Sequence, residues 1–109
     1  MMLDAVILDG AEADFREIRK YVKKRFGDTV WLEVNQEFKY TIRHIAANPV
    51  MGTHIEELTG LGFDNFRKTL VRQTRVIYEF DSKQLIVHMF VHTKKDFKTH
   101  LADRLLAPM

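Results

Sequence analysis

The stretch TRVIYEFDSKQLIVHMFVHT, residues 74–93, leaves the chain little choice of fold. β-Branched and aromatic residues fill both halves, and Asp81-Ser82-Lys83-Gln84 interrupts them. This predicts two antiparallel strands around a two-residue loop at Ser82 and Lys83. That loop sets Phe80 opposite Leu85, Tyr78 opposite Val87, Val76 opposite Met89 and Thr74 opposite Val91. The set is nearly all apolar, so one face of the hairpin is expected to lie on a core. The other face then carries Gln73, Arg75, Ile77, Glu79, Ile86, His88, Phe90 and His92. Arginine, histidine and phenylalanine side by side suit neither a plain solvated surface nor a second core.

Upstream, LDAVIL (3–8) reads as a short strand. Asp9, with Glu12 three residues later, fits a capping box at the start of a helix. Within residues 11–26, Phe15, Ile18, Val22 and Phe26 recur at helical spacing. Gly27 is expected to end that helix in a left-handed conformation. Asp28 can cap a second helix, striped by Trp31, Val34, Phe38, Ile42 and Ile45, which must stop before Pro49. The Gly27-Asp28 joint leaves little room, so the two helices are expected to form an antiparallel hairpin.

Residues 50–65, with Gly52, Gly60 and Gly62, read as an irregular connection. FRKTLV (66–71) is the next strand. After the hairpin, Thr93 offers a cap, Phe97, Leu101 and Leu105 mark a terminal helix, and Pro108 follows it. The expected order is β-α-α-β-β-β-α. This is an α+β fold: an N-terminal strand and helical hairpin, an antiparallel three-stranded meander, and a C-terminal helix. A chain of 109 residues predicts a single domain, 1–109, with one core.

Several function classes are excluded at this level. With no cysteine, disulfides and thiolate metal sites are out, and a reducing cytoplasm is the default compartment. No apolar run is long enough for a membrane span, and the N-terminus does not read as a secretory signal. His88 and His92 share a strand face but lie roughly 13 Å apart along an extended chain, too far to ligate one zinc. His44 on a helix and His54 in a loop add no ligand spacing. Neither a Gly-rich phosphate loop nor a Ser-His-Asp order is present, so neither metal nor cofactor is expected.

Charge is more informative. The formal net charge of +2 conceals +5 over residues 67–104 and −3 over the remainder. A basic C-terminal half suggests a surface meant for anions. Lys94 and Lys95 fall in the first turn of the expected terminal helix, where the macrodipole disfavours cations. With Arg75 nearby they would attract a phosphate. Arg75 beside Phe90 is either a snorkelling stem on a ring or a stacking surface for single-stranded RNA or an acidic partner.

The motifs AEADFREIRKYV (11–22), RFG (25–27), IAANPVMG (45–52), EEL (56–58), FRKTL (66–70), VIY (76–78) and VHTKKD (91–96) resemble the RelE/ParE superfamily, the toxins of type II toxin–antitoxin modules. The likeness runs over nearly the whole chain. It implies a cognate antitoxin whose flexible C-terminal segment wraps the toxin and covers its active face. It also implies one of two activities. The RelE branch cuts mRNA in the ribosomal A site; the ParE branch poisons DNA gyrase and has no such catalytic set.

In the RelE reading, Arg75 and Lys94 or Lys95 hold the scissile phosphate, and His100 or His92 moves the proton, His100 standing near the position of the family's tyrosine. The long first helices, RFG, IAANPVMG and VHTKKD look closer to ParE, the expected branch. A relative that keeps the fold and its partner but not the toxicity is the third reading. In each, the antitoxin is expected to dock on Arg75, Ile77, Ile86, His88, Phe90, His92, Lys94 and Lys95, with an amphipathic helix or an added strand.

Overall fold

The computed structural model describes residues 2–94, 100, 103 and 104. Strand β1 is Asp4–Ile7, helix α1 Asp9–Phe26 and helix α2 Asp28–Ala47. Then come β2 (Thr53–His54), β3 (Arg67–Val71), β4 (Thr74–Phe80) and β5 (Gln84–His92). They make one sheet in the order β1-β5-β4-β3-β2. β1 runs parallel to β5, and the other neighbours are antiparallel. The expected α+β architecture is therefore present. His100, Asp103 and Arg104 are helical, but most of the expected terminal helix, Lys95 included, lies outside the described residues.

The helical hairpin packs its apolar stripes on one sheet face. Trp31, Val34, Phe38 and Ile45 are buried with Val22, and Phe15, Ile18 and Ile42 pack partly against them. Phe26, at the hairpin tip, is instead 55% exposed. The expected capping box does not form. Leu8 precedes the helix with no side-chain cap bond, and Asp9 and Glu12 lie inside the first turn, where they face the positive end of the macrodipole. Nor does Asp28 cap α2; it is the first residue within it. Gly27 joins the helices at φ 91°, a conformation that favours glycine, and its N–H donates to the Lys23 carbonyl.

Residues 50–65 are less irregular than their glycines suggest. Short 3-10 turns at Pro49–Met51 and Glu56–Leu58 bracket β2. Two residues of strand are too few for an alternating pattern to register, so the sequence does not reveal this edge.

Near its turn the main hairpin follows the expected register. Phe80 pairs with Leu85 and Tyr78 with Val87. Asp81 Oδ1 accepts the N–H groups of Lys83 at 2.7 Å and Gln84 at 2.8 Å, fixing the loop. Then the ladder slips. Ile77 pairs with Met89, Val76 with Phe90, Arg75 with Val91 and Thr74 with His92, so His88 is the extra residue of a β-bulge. Past the bulge, β5 exchanges its faces relative to β4. Phe90 turns to the helix side, and Met89 and Val91 turn away from it.

This corrects the expected second face. Ile77, Met89 and Val91 are buried there under Ile55, Leu58 and Phe66, which the 55–66 connection supplies. The sheet is covered on both sides, by a larger core under the helices and a smaller one under that connection. Residues 89–91 are apolar without alternation, so either register buries them and pattern alone cannot choose.

Candidate functional site

The residues expected to share one working face fall on two. Arg75, Ile77, Ile86 and His88 are on the face away from the helices; Phe90 and His92 are on the helix side. On the far face Ile77 is fully buried and Ile86 half-buried. Arg75 Nη1 donates to Glu57 Oε2 at 2.9 Å, with both side chains mostly covered. Burial pushes the Glu57 carboxyl up. Hydrogen bonds from Arg75 and from its own backbone, with the charges of Arg75 and Lys68, outweigh this and hold it below the usual carboxylate range.

The bulge residue His88 is held from several sides. Its Nε2 lies 2.8 Å from Glu79 Oε1, and its ring centroid is 4.7 Å from that of Phe66. Asn65 Nδ2 donates to the other Glu79 oxygen. A histidine so engaged serves the packing of this face as much as any surface contact.

Phe90 is not the ring beside Arg75. It sits in the helix-side core, with its centroid 5.4 Å from Phe15 and 5.5 Å from Phe38. A groove of about 710 Å³ opens beside it, between the helical hairpin and the sheet end at Val71–Thr74. Val22, Val30, Val34 and Phe38 form its floor, and His92, Glu17 and Arg72 stand around it. Tyr21 and Phe26 lie at the exposed hairpin tip, 59% and 55% accessible. Arg72 donates to both carboxylate oxygens of Glu37, Nε to Oε1 at 3.1 Å and Nη2 to Oε2 at 2.6 Å. Lys94 is exposed, and its N–H donates to His92 Nδ1 at 3.0 Å. His100 is half-buried and helical. Phe26 closes the apolar stripe of α1 in the sequence, and in the fold it lines this groove instead of the core.

A second feature escaped the sequence reading. Tyr78 Oη donates to the Pro49 carbonyl at 2.7 Å and accepts the Gly52 N–H at 3.0 Å. Arg67 Nη1 donates to the Gly52 carbonyl at 2.7 Å. These bonds bind the loop after α2 to the middle of the sheet and set β2 in place. A Cβ at position 52 would meet the Tyr78 hydroxyl, so the glycine is required by close approach. Burial raises the Tyr78 phenol above its usual range, more than the Gly52 contact and the Arg67 charge lower it.

A family model described as the ParE toxin of the type II toxin–antitoxin system parDE matches residues 6–97. The chain is also similar to a solved structure titled "Chromosomal ParDE TA system from P. aeruginosa". The TM-score is 0.68 and the identity 12%, covering 85% of this chain and 98% of that one. At that identity the likeness is one of fold. No curated protein sequence matches. Sequence motifs, sheet order and the family match over residues 6–97 agree: this chain belongs to the ParE toxin family of type II toxin–antitoxin systems.

Proposed function

We propose that this toxin acts in the cytoplasm by binding and poisoning DNA gyrase, and that a cognate antitoxin neutralises it by seating an amphipathic segment in the helix-side groove. The observation that carries the reading is the division of the polar residues between two sheet faces. Cutting RNA requires a phosphate holder and a proton carrier within hydrogen-bond reach of one phosphate. Arg75 is drawn to Glu57 on the far face, while His92 lies on the helix side. Binding needs no such convergence. The groove, at about 710 Å³ with mainly apolar walls, has the size and chemistry of a seat for a partner's apolar side chains.

Supercoiling assays with purified toxin test the target. Inhibition, or trapped cleavage complexes, is the expected result. Full gyrase activity at excess toxin, with transcripts cut within codons on the ribosome after induction, would replace this reading with the endonuclease one. Normal growth with abundant folded protein would leave a non-toxic binding module.

A further inference from the structure

The outer face of α1 carries an inference of its own. Charge counted by halves hides a dense basic run: residues 16–25, REIRKYVKKR, contain six Lys/Arg and one Glu, a net of +5. All six cations are exposed. Among the described residues, none of the six lies in an ion pair. The macrodipole accounts for Lys23, Lys24 and Arg25, which fall in the last turn. It does not account for Arg16, Arg19 and Lys20 in the middle of the helix. Arg16–Lys20, Arg19–Lys23 and Lys20–Lys24 are like-charged pairs at i,i+4, each of which destabilises a helix, and Glu12 and Glu17 offset this only in part. A run that opposes its own helix in this way points to a use outside the fold.

Helical geometry gathers these charges. Arg16, Lys20, Lys23 and Lys24 stand three or four residues apart, so they share the face turned from the sheet, opposite the buried Ala11 and Val22. Along the helix axis they span roughly 12 Å. One strand of a DNA duplex presents a phosphate about every 3.4 Å of axis, so that span matches about three or four phosphates. The antiparallel return of the hairpin sets the exposed Lys39 of α2 at the height of Arg16, which widens the positive face. None of these cations lines the helix-side groove. We infer that this face binds the phosphate backbone of duplex DNA, by charge and without reading sequence.

The make-up of the face selects that occupant. Single-stranded nucleic acid needs aromatic platforms, and the rings of α1 lie elsewhere: Phe15 packs on the core, and Tyr21 and Phe26 line the groove. For the same reason no large apolar side chain of α1 stands among the cations to enter a bilayer. α1 carries no Ser, Thr, Asn or Gln with which to read a ribose 2′-hydroxyl. Lysines and arginines spread over a convex helix surface suit the regular charge lattice of a duplex. The inference is separate from the gyrase and antitoxin readings, since it needs neither partner.

The test is fluorescence anisotropy of a labelled, mixed-sequence DNA duplex with the purified full chain, with neither gyrase nor antitoxin present. A Kd of roughly 1–100 µM near physiological salt is expected, weakening about a hundred-fold between about 50 and 200 mM salt. About four phosphate contacts give a slope of about −3.6 in log K against log salt, and Lys20→Gln with Lys24→Gln should bring it to about −1.8. Glutamine keeps the helix propensity and removes like-charge pairs, so the double variant should melt no lower than the parent. Lys83→Gln, in the β4–β5 loop, should leave the slope unchanged. No binding at low salt, or a double variant with the parent's slope, would overturn the inference and leave both partner readings untouched. Tighter binding of a single strand or of an RNA duplex would overturn the choice of duplex DNA. Binding to phosphatidylserine vesicles but not to the duplex would assign the face to a membrane surface instead.

Discussion

Asp14 and Arg104 lie ninety positions apart, yet Arg104 Nη2 donates to Asp14 Oδ1 at 2.9 Å and its Nη1 to Oδ2 at 3.1 Å. The same Oδ2 accepts the Phe90 N–H at 3.1 Å, and Nη1 also donates to the His88 carbonyl at 3.2 Å. β1 ends where Ile7 pairs with Val87. From the bulge onward this ion pair stands where a neighbouring strand would, and it satisfies the backbone groups that the strand would have taken.

Asp14→Ala should therefore cost more than Arg104→Ala. Removing the carboxylate strands both the guanidinium and the Phe90 amide, for about 2–3 kcal/mol; removing the arginine costs about 1–2 kcal/mol because Asp14 keeps one donor. Urea unfolding with an unchanged slope checks both values. Equal losses would mean that the amide contact contributes nothing.

The Tyr78 clamp predicts a loss of about 1–3 kcal/mol for Tyr78→Phe, from two backbone groups left without the hydroxyl. Gly52→Ala should cost a similar amount through overpacking, and the double variant less than the sum, since both disturb one contact. Burial raises the folded phenol's pKa above the ordinary value of 10.0. The unfolded chain then loses its proton first, so the stability from this group is intact below pH 10 and falls as pH rises beyond it. Alkaline titration of stability should be flatter in Tyr78→Phe than in the parent.

Phe90 tests the face exchange. As a helix-side core residue, 5% exposed among aromatic rings, it should cost about 3–5 kcal/mol when replaced by alanine. Tyr21→Ala, at the exposed groove tip, should change stability little while weakening antitoxin affinity. Thermal and urea unfolding separate the two. A fully stable Phe90→Ala would return this ring to the surface.

Arg75→Met should raise the Glu57 pKa, because burial, the largest influence on that carboxyl, then acts with less opposition. In the parent the folded pKa lies below the unfolded value, so the pair stabilises above that value and is lost as pH falls through the folded one. Carboxylate NMR titration reads the shift directly. An unmoved Glu57 would show that the Arg75 contact is not what holds its carboxyl down.

Periodicity was enough for the helical hairpin, for Gly27 at its joint and for the main strands, because each is decided by which side chains a local pattern can bury. The Ser82–Lys83 loop was legible for the same reason, and the motifs from Ala11 to Asp96 carried the family. The bulge at His88 was not legible. Residues 89–91 are apolar on every side, and only the packing of Phe90 against Phe15 and Phe38, with Met89 and Val91 against Phe66 and Leu58, chooses their faces. One extra residue in β5 thus separates Arg75 from Phe90 and His92, which a strict alternation had set side by side. The partners of Arg75, Tyr78 and Asp14 lie 18 to 90 positions away in sequence, beyond any local pattern, and only the folded chain brings them into contact.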